Sequence, residues 1–337
     1  MEAPFRLGTR GSPLALAQAR LAAAALTAAH GVTVEIVPIV TTGDRIQDRP
    51  LADIGGKALW TKELDAALLY GRIDAAVHSM KDVETRLADG IVIAAMLPRA
   101  DVRDRLLGAA SIAALPQGAR IGTSSPRRAA QLLHLRPDLK IAALRGNVAT
   151  RMAKLAAGEA DATLLAAAGL VRLGIDEGVA IPLATLLPAP AQGAVGLTAR
   201  AKDQVTLTLL SAIDDAPTSV AVGLERAFLA ALLADCHSSV AALALIDADG
   251  SIDFRAEILL PDGSERRAIQ ARLPGMDAPT ASVGVMSAAG MPATTLERAT
   301  ASVSEAAAEL LAAASPELAA LFGAGAHAPV EPRYAAD

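Results

Sequence analysis

The chain reads as an α/β protein of two similar lobes followed by a small α+β region, and three observations predict this. Apolar runs alternate with amphipathic segments over residues 5–200, the pattern of strands feeding helices. A set of marks then recurs in order. Gly8-Thr9-Arg10-Gly11-Ser12-Pro13 is echoed by Gly122-Thr123-Ser124-Ser125-Pro126, and Gly71-Arg72-Ile73-Asp74-Ala75 by Gly158-Glu159-Ala160-Asp161-Ala162. Each Ser-Pro helix start is followed by Ala-Gln, at Ala17-Gln18 and Ala130-Gln131. Beyond Val240, three strand-like runs, the middle one alternating cleanly, are joined by Asp247-Ala248-Asp249-Gly250 and Pro261-Asp262-Gly263-Ser264, which predicts a three-stranded antiparallel sheet.

The elements follow in order. Phe5–Thr9 reads as a strand and Pro13–Ala29 as a helix. Val34–Thr41 is the next strand, turning through Thr41-Thr42-Gly43-Asp44. Ala58–Tyr70 is a helix burying Trp60, Leu64 and Leu68 at i, i+4, i+8, and Asp74–His78 a buried strand. Arg120–Thr123 and Ile141–Leu144 are strands of the second lobe. Val220–Ala234 is a helix with Leu224, Phe228 and Leu232 on one stripe. Val240–Ile246, Ser251–Leu260 and Glu265–Leu273 are the late strands, and Leu296–Ala314 closes them as a helix.

Pro- and Gly-marked stretches at Leu97-Pro98-Arg99 and Leu187–Gly193 read as crossings between lobes, so the chain is expected to return to the first lobe after the second. The expected domains are residues 1–97 with 194–212, residues 98–193, and residues 213–322, with 323–337 as an Ala/Gly/Pro-rich loose tail.

Composition sets limits on function. The 337 residues are 53% hydrophobic with only 2% aromatics, so the core is aliphatic. No uninterrupted apolar run is long enough to span a membrane. The start, Met1-Glu2-Ala3-Pro4-Phe5-Arg6, lacks the basic and apolar regions of a secretory signal, and one cysteine fits a reducing compartment. A cytoplasmic protein is therefore expected. Its five histidines are scattered without metal-ligand spacing, so no metal is expected. Gly55-Gly56-Lys57 lacks the remaining marks of a Walker A loop.

Charge is the sharpest signal. Between Arg120 and Lys154 there are eight Lys/Arg and one acid, Asp138, a local +7 in a chain of net charge −5, leaving −12 elsewhere. Ser125 is the natural N-cap and Pro126 the first residue of a helix. Arg127 and Arg128 then occupy a first turn where the macrodipole disfavours cations, which implies an expected anion. Nucleic acid is one such anion, but the acidic whole and the lack of interleaved aromatics stand against it.

Other candidates cluster at predicted strand ends. Arg10 and Ser12 follow the first strand. Ser79, Lys81 and Asp82 follow Asp74–His78, and Ser124, Arg127 and Arg128 follow Arg120–Thr123. Arg145, Gly146 and Asn147 follow Ile141–Leu144, with Arg151 one turn later. Ligands of open α/β sheets bind outside the carboxyl ends of strands, so these four loops are expected to face one crevice. Arginine forks suit carboxylates and phosphates, and so many imply a ligand with several anionic groups. Asp82 has two readings, a local ion pair or cap beside Lys81, or an acid/base and counter-charge for a cation formed in a reaction. Cys236, in Ala234-Asp235-Cys236-His237-Ser238-Ser239, also has two, a buried inert thiol or a nucleophile and attachment point.

Together these residues resemble the hydroxymethylbilane synthase, or porphobilinogen deaminase, family from about Arg6 to the C-terminal helix. The marks are Thr9–Ala15, Gly55-Gly56-Lys57, His78–Val83, Gly122–Arg128, Leu144–Arg151, Gln192–Gly196 and Cys236. The resemblance implies three domains, the first two like periplasmic binding proteins, in a monomer. It implies head-to-tail joining of four porphobilinogen molecules, with loss of ammonia, into linear hydroxymethylbilane for heme biosynthesis. It also implies a dipyrromethane cofactor held by a thioether at Cys236. Each pyrrole carries two carboxylates, which accounts for the arginines.

By the same resemblance, Asp82 faces the azafulvenium cation left when ammonia departs. Lys81, Arg127, Arg128 and Arg151 hold cofactor and substrate carboxylates, with Arg10, Arg145 and Arg172 as further binding arginines. Ser12, Lys57, Ser79, Ser124 and Ser125 are polar cleft residues, and Thr123 and Gly146 belong to the same binding segments. Three departures stand out. Ala234-Asp235 and Ser239 replace the usual glycines and proline about Cys236, which predicts a less pinned loop. Asp53 stands where many members have lysine, removing one cationic contact. Pro190-Ala191-Gln192 replaces Val-Gly-Gln, which predicts a stiffer hinge. The readings from other classes are a two-lobed binding protein for an anionic metabolite and another enzyme on the same lobes, such as a phosphoribosyl transferase.

Overall fold

The computed structural model describes residues 3–40, 61–235, 237–273 and 293–323. Its described residues fall into two compact units, one containing residues 3–100 and 193–220 and the other containing 101–192 with the rest of the chain.

The first unit is a five-stranded sheet of order β2-β1-β3-β10-β4. β1 (Phe5–Arg10) pairs in parallel with β2 (Val34–Ile39) and β3 (Ala75–Ser79). β10 (Val195–Arg200) runs antiparallel between β3 and β4 (Ile91–Met96). The returning chain thus completes the first sheet. Helix α1 (Pro13–His30) starts where predicted. Ser12 Oγ accepts from Ala15 N at 3.3 Å, Pro13 fills the first position, and Gly31 ends it at φ 68°. Its small buried face, Ala19, Ala22 and Leu26, lies on Leu7, Val77 and Leu197 in an aliphatic core. Helix α2 (Lys62–Leu69) buries Leu64 and Leu68, while Trp60 lies outside the described residues. The third strand starts one residue later than expected because Asp74 is taken by Arg6, its carboxylate accepting from both the Arg6 backbone N–H and guanidinium.

The second lobe repeats this topology in the order β7-β6-β8-β5-β9. β6 (Arg120–Gly122) pairs in parallel with β7 (Lys140–Ala142) and β8 (Ala162–Ala166). β5 (Asp104–Leu107) is antiparallel to β8 and β9 (Val179–Ala180). Strand for strand, β6, β7, β8, β5 and β9 repeat β1, β2, β3, β10 and β4. The two-lobe architecture therefore stands on matching pairing order and direction. Helices α3 (Pro126–Leu135), α4 (Val148–Ala156) and α5 (Ala167–Arg172) follow the parallel strands.

After α6 (Gln204–Ser211) the chain enters α7 (Ala216–Leu232), which begins four residues before the expected Val220. Pro217 is tolerated in its first turn, and Asp215 Oδ1 accepts from Thr218 N at 3.0 Å. The late strands are β11 (Val240–Ile246), β12 (Ile252–Leu259) and β13 (Arg266–Leu273), antiparallel in sequence order, with α8 (Ala293–Ala313) packed on β13. Ile252, Phe254, Ala256 and Ile258 of β12 are all fully buried. Phe254 meets Phe228 of α7 edge to face at 5.6 Å. Burying each ring stabilises the region by about 2–3 kcal/mol. This sheet is joined to the second lobe in one unit, where Leu187 packs with Ala241 and Leu243. No single described helix is long and apolar enough to cross a membrane.

Candidate functional site

In the first lobe, parallel pairing sets the carboxyl ends of β1 and β3 side by side. β1 ends at Arg10, just before the Ser12 cap. β3 ends at Ser79 and runs into one 3₁₀ turn, Met80–Asp82, closed by Val83 N to Met80 O at 3.2 Å. Arg10, Ser12, Ser79 and Asp82 consequently line one small pocket of about 70 Å³, with Gln18, Thr61 and His78. Lys81, on the same turn, is half-buried and not among the lining residues. Asp82 is exposed and forms no hydrogen bond or ion pair among the described residues. Its reading as a cap or ion pair with Lys81 is therefore not realised, and a solvated carboxylate is left facing the pocket. Gln18 is a pocket residue that motif reasoning did not select. It is 2% exposed and holds Ser79, with Nε2 2.8 Å from Ser79 Oγ.

In the second lobe, Ser125 caps α3 by accepting from Arg128 N at 3.5 Å. Ser125 N donates to Thr123 Oγ1 at 3.1 Å, and Ser124 Oγ to Leu144 O at 3.2 Å, which ties the loops after β6 and β7 together. Asn147 caps α4, and Arg151 Nε donates back to Gly146 O at 2.9 Å. Arg145 follows the buried Leu144, and Arg172 ends α5, where burial lowers its pKa. Lys57 and Cys236, with Gly55, Gly56 and Asp53, lie outside the described residues.

The arginine pair at the start of α3 is buried rather than displayed at the surface. Arg127 and Arg128 are 3% and 5% exposed, and both point at Asp104 on β5. The +7 island is correspondingly less cationic in space than in sequence. Arg136 pairs with Asp138, Arg120 with Asp161 and Lys154 with Glu159, and Asp104, Asp161 and Glu159 all lie outside the window counted. Burial opposes charge on Asp104, but Arg128 and Arg127 outweigh it and hold the carboxyl well below the usual range. Burial lowers Arg127, with Asp104 opposing and Arg128 adding to the shift. Gln131 completes the cluster. It accepts from Arg127 Nη1 at 3.0 Å, donates to Leu187 O at 3.0 Å and donates to Glu257 of β12. Its only sequence signal was the Ala-Gln echo. Gln18 and Gln131 each stand six residues after their helix's capping serine.

The segments flanking Cys236 are braced. His237 N donates to Asp235 Oδ1 at 2.9 Å, and Asp235 N to Ser238 Oγ at 3.2 Å. Asp235 thus ties the flanks where glycine would leave them slack. At the second crossing Ala191 takes φ 61°, a left-handed conformation that glycine adopts without strain. The buried Glu225 carboxylate accepts its N–H at 2.6 Å.

The fold is thus two α/β lobes of one topology, one presenting an exposed acid in a pocket and the other a buried arginine pair. Comparison with known proteins is more specific. The family profile described as porphobilinogen deaminase, dipyromethane cofactor binding domain, matches residues 5–208, and that of the porphobilinogen deaminase C-terminal domain matches residues 220–291. A porphobilinogen deaminase of Sphingopyxis alaskensis is 61% identical over 271 residues, 78% of this chain and 86% of that protein. A chloroplastic porphobilinogen deaminase of Oryza sativa subsp. japonica is 51% identical, over 77% of this chain and 75% of that protein. The chain belongs to the porphobilinogen deaminase family, a family of transferases. Among solved structures, a periplasmic substrate-binding protein of an ABC transporter from Coxiella burnetii is 18% identical at a TM-score of 0.36, covering 66% of this chain and 96% of that one.

Proposed function

We propose that the protein is a hydroxymethylbilane synthase, joining four porphobilinogen molecules head to tail with release of ammonia in tetrapyrrole biosynthesis. The observation that carries the reading is family membership over both matched regions, residues 5–208 and 220–291. The residue chemistry supports it. Breaking the C–N bond of the aminomethyl group leaves a cation shared with the pyrrole nitrogen. Asp82, exposed and unengaged in the Arg10–Ser12–Ser79 pocket, suits a hydrogen bond to that pyrrole N–H, stabilising the cation and accepting the proton lost on coupling. Arg10 at the same pocket suits a substrate carboxylate.

The second lobe fits a dipyrromethane, whose four side-chain carboxylates call for guanidinium donors. Arg127 and Arg128 face a single acid, Asp104, and Arg127 Nε is buried without a partner. Lys81, Arg145, Arg151 and Arg172 are the further cations of the reading, with Lys57 outside the described residues. When bound, the dipyrromethane supplies the free pyrrole α-carbon to which units are added, and its thioether is assigned to Cys236. A binding protein without chemistry is not favoured, because anion capture needs neither Asp82 nor a thiol. We further assign the protein to the cytoplasm, where a lone thiol stays reduced, as a monomer.

Intact mass of the purified protein tests the reading. The expected result is a mass above that of the sequence by two linked pyrrole units, with the increment absent from Cys236→Ala. Active protein of unmodified mass would overturn it.

A further inference from the structure

The two arginines of α3 are held by one side chain, Asp104, which opens β5 and is 3% exposed. Its Oδ2 accepts from Arg127 Nη2 at 2.9 Å and Arg128 Nε at 3.2 Å. Its Oδ1 accepts from Arg128 Nη2 at 2.7 Å and from Gln192 Nε2 at 2.9 Å. Arg127 Nη1 also donates to Gln131 and to Leu187 O, and Arg128 Nη1 to Leu164 O. Six of the ten side-chain N–H groups of the pair are therefore used and four are not, the buried Arg127 Nε–H among them. The only other acid at the cluster, Glu257, is engaged by Arg266 at 2.7 Å as well as by Gln131. Two guanidiniums thus share the Asp104 carboxylate directly, and the buried Glu257 reaches Arg127 only at longer range, through Gln131.

Packing alone gives no reason to bury two guanidiniums against one carboxylate with donors left over, since an unsatisfied buried N–H is unfavourable. The unused donors, the buried Arg127 Nε–H among them, make sense if a ligand carboxylate completes the set. Asp104 then decides where those donors point. Its bidentate hold on Arg128 fixes that guanidinium plane, and its other oxygen sets Arg127 against Gln131.

We propose that Asp104 is a positioning residue of the anion site, holding Arg127 and Arg128 so that their remaining N–H groups form one carboxylate receptor. Through Gln192, the same carboxylate ties this receptor to the second crossing. The proposal rests on the reading that the arginines bind pyrrole carboxylates.

The test uses the full-length enzyme as purified, measuring the pyrrole mass increment, KM and kcat for porphobilinogen, and thermal unfolding. Asp104→Asn keeps the shape and one acceptor but releases a fork. The expected result, well below the melting temperature, is a KM raised at least about tenfold, the effect of misaligning one charge-assisted hydrogen bond, with a reduced mass increment and a smaller change in kcat. Asp104→Glu should recover part of the loss. If Asp104→Asn does not fold, Asp104→Asn/Arg127→Gln restores charge balance and is compared with Arg127→Gln alone. A higher KM in the double variant is expected, because Arg128 has also lost its holder. Lower melting with unchanged KM and mass increment, or a double variant no worse than the single, would overturn the proposal. Unchanged loading and KM in both Arg127→Gln and Arg128→Gln would instead remove the reading beneath it.

Discussion

Gly263 offers a quantitative test of how the late sheet is docked on the second lobe. Its turn presses against α3, the helix that carries Arg127 and Gln131. A Cβ at this position would lie 2.4 Å from His134 N, 2.7 Å from Leu133 C and 2.8 Å from Ala130 O, all backbone atoms that cannot swing aside. His134 Nδ1 is also hydrogen-bonded to Gly263 O at 2.9 Å. Gly263→Ala therefore carries three costs. Left-handed backbone, here φ 75°, costs about 1–2 kcal/mol for a non-glycine residue. Overpacking adds about 1–3 kcal/mol, and the lost hydrogen bond about 1 kcal/mol. Gly158 isolates the first of these. It lies in the same unit at φ 76° with nothing within 4 Å of its would-be Cβ. Gly158→Ala should cost only the backbone strain. The two variants should then differ by about 2–4 kcal/mol, or roughly 5–15 °C in thermal midpoint. Differential scanning calorimetry of the two proteins side by side reads the difference. Equal midpoints would refute the close approach of the turn to the helix.

Two further outcomes are expected. Asp82→Asn should lower kcat by about 10²-fold or more while leaving the melting curve in place, because an exposed side chain without partners supports only the reacting charge; near-normal turnover in a continuous assay would return Asp82 to a surface role. Asp65 on α2 is pushed up to about 6, chiefly by burial, with the Thr61 hydrogen bond opposing and Glu84 adding. A folded-state pKa above the unfolded value means stability present below the unfolded value is lost as pH rises through about 6. Asp65→Asn should therefore raise the urea midpoint at pH 8 and lose that advantage at pH 4, and an equal gain at both would contradict the burial of this acid.

What could be read from the sequence was local. Ser12 and Ser125 were legible as caps because each bonds a backbone N–H three residues ahead. The β12 alternation was legible because burial on one face leaves a period of two. The repeated marks correctly foretold two lobes of one topology. What the sequence hid was long-range pairing. β5 and β10 are antiparallel, and each enters its sheet directly after a crossing, so no helix precedes either to announce it. The same blindness affected charge. Asp104 lies 23 residues before Arg127 and is next to it in space, so a window count assigned +7 to a segment whose arginines are largely paired. Asp74 looked like the start of a strand because nothing local revealed its bond to Arg6 across 68 residues.

On the proposed function, the two lobes of one topology would do different work, each within its own unit. In both, a serine caps the helix after the first parallel strand, and a glutamine six residues on is buried against what the lobe uses. In the first lobe Gln18 braces Ser79, and the next turn leaves Asp82 exposed, as the proposed role against a transient cation requires. In the second, Gln131 braces Arg127 inside a dry cluster where a guanidinium attracts a carboxylate far more strongly than it would in water. A chemical step needs an acid whose charge is available, whereas retention of a growing polyanion needs cations whose geometry does not relax. The same strand–turn–helix occurs in both lobes, with a buried glutamine fixing each loop while the residues around it set its polarity. Exchanging those environments, by burying Asp82 or exposing Arg127, would be expected to cost turnover in the first case and retention of the chain in the second.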